Sequence, residues 1–369
     1  MNHRLSFTLL TLLTLLLPVA SCHRRPLEDA SEVVSINIKV DVQTVTNVNT
    51  NVRNSIKLYN DNTTLWDEKL KQLDPEMMRV LVYDPETNNL LTQSFISHTE
   101  TDENGNKVFA GNLGITYGNF NFLVYNFDTP TTQVTFENNE NQILAYTEEL
   151  TPAQKAYYIP TGNVKADDTE NNGLDGISIR LEPEHLLVAN EHNVRISPHD
   201  TLVVINTEAS TVVDTYYIQI RVTGLQFAST ATAVITGLSP SYHIGLNRRT
   251  EEPAAAVLFE LKKGRDESLA GANKDVLCAV FNTFGKIENA PSTLRVTFNV
   301  IDTAGNLVQH DVNMDYIFKT VDAIERHWLI IDEVWDIPEP KVDPGQQSSG
   351  GGFQPEVDDW QEEHGEIAI

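Results

Sequence analysis

The chain has 369 residues and carries 26 basic against 52 acidic side chains, a formal charge of −26. That balance excludes nucleic acid as a partner, because phosphate binding needs Lys/Arg patches, and it argues against docking on an anionic membrane through a basic face. A hydrophobic fraction of 40% is enough for packed cores, about 150 residues per domain points to two domains, and two cysteines, Cys22 and Cys278, cannot form a disulfide scaffold.

Residues 1–21 read as an export signal. Arg4, with His3, is a short basic start; Leu5–Leu17 is an apolar run broken only by Ser and Thr; Pro18 ends it. The run falls short of the about 20 apolar residues that a membrane-spanning helix needs. Val19-Ala20-Ser21-Cys22 follows. An aliphatic residue, two small ones and a Cys form the lipobox pattern of bacterial lipoproteins, in which the thiol is alkylated by diacylglycerol before the preceding bond is cut. Two or three acyl chains on Cys22, palmitate among them, would hold the chain stably at a membrane, where one chain binds only marginally. Residues 22–31 are then a polar, charged tether.

Residues 32–184 read as a first β-domain. Val34, Ile36, Ile38, Val40 and Val42 alternate with polar residues, the period of a half-buried strand. Further strands are expected over 79–83, 90–97, 107–113, 119–127 and 134–137. Asp102–Asn106 contains Asn-Gly and reads as a hairpin turn. A helix is expected over Leu65–Leu73 with Thr64 as its cap, and a short one beginning at Thr151-Pro152. Residues 165–176, rich in Asp, Glu, Asn and Gly, read as a loop, and 184–200 as an interdomain connection.

A further strand is expected over 177–181, and residues 185–336 read as a second β-domain, with strands over 202–206, 212–222, 231–236, 255–260, 276–281, 294–301, 307–312 and 327–335. Asp302–Asn306 is a hairpin loop with Gly305 at its left-handed position. Many short strands punctuated by turns, with almost no long helical periodicity, make the chain all-β: two β-sandwiches in series. Residues 337–369 depart in composition. Asp332–Ile369 holds eleven acids against one base, Lys341, and Ser348–Gly352 reads as a flexible linker. Beyond it Phe353, Val357 and Trp360 stand among acids as candidates for contact with a neighbouring subunit.

Chemistry is sparse. There is no Gly-x-Ser-x-Gly, His-Glu-x-x-His, P-loop or Gly-x-Gly-x-x-Gly, and no catalytic residue, metal site or cofactor is expected. His185, His192 and His199 recur every seven residues beside Glu184, Glu191 and Asp200, but Pro183 and Pro198 bracket the stretch, which reads better as a solvated connection than as a metal site. Asp168, Glu170, Asn172 and Gly173 mimic the start of a calcium loop whose last ligand position is Ile179, a poor match. Cys278 lies in the apolar run 276–281 and reads as a small buried hydrophobe. Tyr157-Tyr158 and Tyr216-Tyr217, the two aromatic pairs, read as strand or core residues.

The layout resembles the fimbrillin-like lipoproteins of Bacteroidales, the subunits and anchors of major and minor fimbriae. The resemblance is carried by Cys22 with His-Arg-Arg-Pro-Leu-Glu over 23–28, by Arg79–Glu86 (Arg-Val-Leu-Val-Tyr-Asp-Pro-Glu), and by Tyr217–Gly224 leading to Ala233–Ser239. Gly350–Trp360, Gly-Gly-Gly-Phe-Gln-Pro-Glu-Val-Asp-Asp-Trp, closes it. The resemblance implies two transthyretin-like sandwiches and a cell-surface polymer built from lipidated precursors at the outer membrane. It implies other fimbrial subunits as partners through β-strand addition, after an Arg-specific protease removes the first strand of a stalk subunit. Arg53, in the Thr/Asn-rich stretch 45–60, is the candidate cut site. Anchor subunits of such families keep their lipid and are not cut. The expected role is therefore structural, an anchoring or accessory subunit supporting adhesion. A cleaved stalk or tip subunit is the first rival, and a glycan-binding surface lipoprotein the second.

Overall fold

Alternating hydrophobicity becomes strand along most of the chain. The computed structural model describes residues 35–36, 40–45, 55–59, 65–103, 105, 107–159, 176–197, 199–200, 203–251, 253–287 and 294–340. The first part supplies β1 (Ser35–Ile36), β2 (Val40–Val45), β3 (Ile56–Leu58), α1 (Asp67–Lys71), β4 (Met78–Tyr83), β5 (Leu90–Ile96), β6 (Thr99–Thr101), β7 (Lys107–Phe109), β8 (Leu113–Gly114) and β9 (Gly118–Asn126). The middle supplies β10 (Thr132–Thr135), β11 (Leu144–Thr147), α2 (Pro152–Tyr158), β12 (Ile179–Leu181), β13 (Leu187–Ile196), β14 (Ile205–Thr211), β15 (Asp214–Thr223), β16 (Ala228–Leu238), β17 (Ser241–His243) and β18 (Arg248–Arg249). The last part supplies β19 (Ala255–Glu260), β20 (Lys262–Asp266), β21 (Asp275–Thr283), β22 (Arg295–Asp302), β23 (Leu307–Asn313), α3 (Val321–Arg326) and β24 (Trp328–Asp336).

Two sandwiches result. In the first, a six-stranded sheet ordered β2-β14-β13-β9-β4-β5 faces a four-stranded one ordered β10-β11-β17-β18. The central strand β4 is apolar at nearly every position because both its faces are covered. Met78, Val80 and Val82 pack with Phe109, Leu113 and Ile115 from the β7–β9 stretch. Leu81 and Tyr83 point the other way, against Ile143, Ala145 and Ile244 of the facing sheet. In the second sandwich, β12-β19-β16-β22-β23 packs on β24-β15-β21-β20-β3. Successive strand residues point to opposite faces, so Ile218, Ile220, Leu277 and Phe281 meet Ala233, Ile235, Phe259 and Phe298 in one buried cluster. The Phe259 and Phe281 rings stack with centroids 4.3 Å apart.

Two expectations change here. Residues 184–200 are not a connection: Leu187–Ile196 is a ten-residue strand, β13, paired with both β9 and β14. A bulge between Glu191 and Val194, with Asn193 at φ 56°, breaks its alternation, which is why the pattern does not announce a strand. The six-stranded sheet therefore takes strands from both sides of residue 184; the chain passes to the second sandwich at β15 and β16, returns to the first for β17 and β18, and stays in the second from β19 onward. The sandwiches are also interleaved: β3, α1, α2 and β12, all before residue 184, pack on the second one. The expected helix over 65–73 shortens to α1, whose first turn follows Trp66 with no side-chain cap. Thr64, its expected cap, and the loop 165–175 lie outside the described residues. Burial fixes α1: Trp66 is 2% exposed and packs on Tyr217, Cys278 and Trp328.

Candidate functional site

Cys22, Arg53, Phe353, Val357 and Trp360 all lie outside the described residues. What the structure gives is the architecture at their flanks. Upstream of Arg53, β2 is the edge strand of the six-stranded sheet, parallel to β14 with Val40 opposite Ile205 and Val45 opposite Ser210. Downstream, β3 is an edge strand of the second sandwich, antiparallel to β20 with Ile56 opposite Asp266. Position 53 thus lies in the chain between two edge strands that belong to different sandwiches. An edge strand is laddered along one side only, and its loss bares the backbone of its neighbour.

The point from which the C-terminal segment departs is fixed. β24 runs parallel to β15, and the Ile337 amide then donates to the Thr223 carbonyl at 3.0 Å. Ile337 is buried. Gly224 has φ +70°, and a Cβ there would overlap the Ile337 carbonyl, so both the turn and the close approach require glycine.

Between the sandwiches lies a buried polar joint. His185, with no exposed surface, places Nδ1 2.8 Å from Thr211 Oγ1 and Nε2 3.1 Å from Thr215 Oγ1. Thr215 donates to Asn282 Oδ1 at 2.8 Å. Gln72, just after α1, accepts from the His185 amide at 3.2 Å and from Asn282 Nδ2 at 3.1 Å. Lys69 pairs with Glu182 at 2.6 Å, and the same carboxylate oxygen accepts from the Asn282 amide. Burial, with the Lys69 ammonium nearby, pushes the His185 imidazole down to about 4, so it is neutral at neutral pH. Each of these groups has partners on another element, and a satisfied buried network of this kind specifies one arrangement of the strands it joins.

The three histidines spaced by seven are not brought together. His185 is in the joint, His192 is exposed on β13 with Nδ1 3.4 Å from Glu140, and His199 is in the turn that follows. Among the described residues no group of three or more His, Cys, Asp or Glu could hold a metal ion, and no helix is long and apolar enough to cross a membrane. The calcium-loop stretch 168–175 is outside the described residues; Ile179 opens β12. Cys278 is buried in the Trp66 cluster, and burial raises its thiol to about 12, which leaves it without a nucleophile's character. Tyr216 and Tyr217 are core residues as expected, but Tyr157 is not: it lies in the last turn of α2 and is 79% exposed.

Residues 64–260, just over half of the chain, match the profile of a domain of unknown function, DUF5119. A Bacteroides ovatus protein named as a fimbrium anchoring subunit, Fim4B, is 23% identical over 336 residues, 90% of this chain and 80% of its own. A solved structure from Bacteroides ovatus, described as an adhesin, is similar with a TM-score of 0.54 at 19% identity, covering 87% of this chain and 98% of that one. The likeness to it is one of fold, the all-β sandwich architecture.

Proposed function

The chain belongs to the DUF5119 family, and on that premise we propose that it is a structural lipoprotein of a fimbrial system, an anchoring or accessory subunit that supports adhesion at the cell surface. One observation carries this reading: the similarity to the protein named as a fimbrium anchoring subunit runs over 90% of the chain. The role is one of position rather than turnover. Residues 1–21 are removed, Cys22 carries the lipid, and the protein is held at the outer membrane by two or more acyl chains. The sandwiches act as a spacer whose joint at His185 keeps them in one orientation. Other fimbrial subunits are the partners, through β-strand addition. With β2 retained, the edge beside β14 stays filled and takes no donor strand, so the polymer ends at this subunit. The segment bearing Phe353, Val357 and Trp360 reaches the next subunit.

A stalk or tip role is the second reading, favoured by the position of Arg53 in the chain between two edge strands. A cut there would separate β2 from β3, leaving the six-stranded sheet an edge to refill while the second sandwich kept its own. Mass spectrometry of the mature N-terminus, in sheared surface material and in the membrane left behind, tests both. An acylated Cys22 confined to the membrane is the result expected of an anchor. A terminus at Asn54 in sheared polymer overturns that role in favour of the stalk.

A further inference from the structure

The outer face of the sheet β12-β19-β16-β22-β23 is divided in two. Residues that do not enter the core point outward from it: Thr230, Thr232 and Val234 on β16, Ala256, Leu258 and Glu260 on β19, Asn299 and Ile301 on β22. The apolar part, Val234, Ala256 and Leu258 with Ile179 of the edge strand β12 beside them, is roofed by Leu150, Ile159 and Tyr158. The remainder has hydroxyl, carboxylate and amide groups, and no element packs over it among the described residues. It floors an open cleft of about 530 Å³ lined by Tyr157, Thr230, Thr232, Glu260 and Asn299, within the range of about 300–1,000 Å³ of small-ligand sites. The apolar Leu58 and Ile301 and the lysines Lys262 and Lys263 also line it.

Tyr157 stands at the side of this cleft on the last turn of α2, 79% exposed. Its ring meets that of Tyr158 edge to face, with centroids 5.0 Å apart and planes at 85°. Tyr158 is in turn fixed, packed against the apolar roof and accepting at its carbonyl from the Thr232 hydroxyl at 3.3 Å. An exposed aromatic ring, in contact with a fixed neighbour, thus stands beside a largely polar floor. On that floor, Thr230 and Glu260 are exposed, and Asn299 is buried with its amide oxygen held by Gln309 at 2.7 Å.

We infer that this cleft is a saccharide-binding site that takes a neutral hexopyranose unit, its C–H face on Tyr157 and its hydroxyls on the Glu260 side of the floor. A sugar ring presents an apolar face and an equatorial rim of groups that each donate and accept, which matches one exposed aromatic face beside a mixed polar floor. An apolar peptide side chain would leave that floor desolvated and unpaired, a penalty that outweighs its contact with one ring. Glu260 and the chain's net charge of −26 disfavour acidic sugars, and of the two lysines in the lining Lys263 is held by the Ala228 carbonyl, which leaves neutral sugars favoured. The site stands whether or not the chain anchors a fimbria.

The test uses the full mature chain. A printed array of neutral plant, bacterial and mammalian glycans selects probes, and saturation-transfer NMR with lactose, cellobiose and mannobiose measures them, with sialyllactose as the charged control. Saturation of the ring protons of at least one neutral sugar is the expected result. Tyr157→Ala weakens it about tenfold or more, Tyr157→Trp restores it, and the thermal unfolding of both variants matches that of the parent. Binding to none of the neutral glycans, affinity unchanged in Tyr157→Ala, or a preference for sialyllactose each overturns the proposal.

Discussion

The second sandwich covers its two outer faces differently. On the β24-β15-β21-β20-β3 side the outward residues include Tyr217, Val276, Cys278, Val280 and Trp328, and Trp66 ahead of α1 closes over them. On the other side α2, with Leu150 before it and Ile159 after it, covers Val234, Ala256 and Leu258, beside Ile179 of the edge strand β12, and stops where the outward residues turn polar. The extent of each cover follows the composition of the face beneath it, as burial proportional to apolar area requires. Both covers come from chain that precedes residue 184, so the first part of the sequence finishes the surface of a sandwich whose core lies in the last part.

The largest effect is expected at Trp66. Trp66→Ala opens the fully covered face and costs about 3–5 kcal/mol, read as a fall in the urea midpoint with little change in slope. A loss below about 1 kcal/mol would mean that the Trp66 cover is as dispensable as an ordinary surface residue.

The joint between the sandwiches gives the next effect. His185 sits at about 4 in the folded chain against about 6.5 when unfolded. The unfolded chain therefore takes up a proton first as pH falls. Stability is full above about 6.5, declines through the window from 6.5 to 4, and is about 3 kcal/mol lower below it. His185→Gln, which keeps a hydrogen-bonding group but does not titrate, should flatten that part of the stability–pH curve. A parent curve already flat between pH 6.5 and 4 would contradict a neutral buried imidazole.

Legibility in the sequence divides along similar lines. The all-β class, most strands of the second sandwich (β3 and β20 apart) and the α2 cap were readable because period-2 alternation and Thr151-Pro152 are local signals. β13 was not, because the bulge at Asn193 shifts the pattern out of phase midway. The interleaving was not either, since nothing local in Ile56–Leu58 or at Trp66 says which sheet they will join. Tyr157 and Tyr158 look alike as a pair. Only the packing of α2, which turns one ring inward and leaves the other over the cleft, separates them. The residues expected to attach, cut and dock, from Cys22 to Trp360, were singled out by motif and composition and lie in stretches where the structure describes no side chains.

At Gly224 the expected cost of substitution is smaller. Ala there must hold φ +70° and meet the Ile337 carbonyl, so Gly224→Ala should cost roughly 1–3 kcal/mol. Hydrogen exchange should rise first at the Ile337 amide and the last residues of β24. Because this site lies on the core side rather than beneath either cover, an equal rise in the Trp66 region would show that the end of β24 and the Trp66 cover open as one unit.

The smallest effect is expected at Thr151. Thr151 caps α2 with a full capping box: its hydroxyl accepts from the Gln154 amide, and Gln154 Oε1 accepts from the Thr151 amide at 2.9 Å. Thr151→Ala removes one arm of the box and costs about 1 kcal/mol. If α2 is only a partial cover, that loss is local: exchange quickens over 152–159 while β16 and β19 beneath it keep their protection and the global midpoint hardly moves. α1 has no side-chain cap to lose and is held by Trp66 instead, so no comparable local opening is available on the opposite face. Equal quickening in β16 and β19 would show that the partial cover supports the sheet as fully as Trp66 supports the other, and the distinction between the two faces would fail.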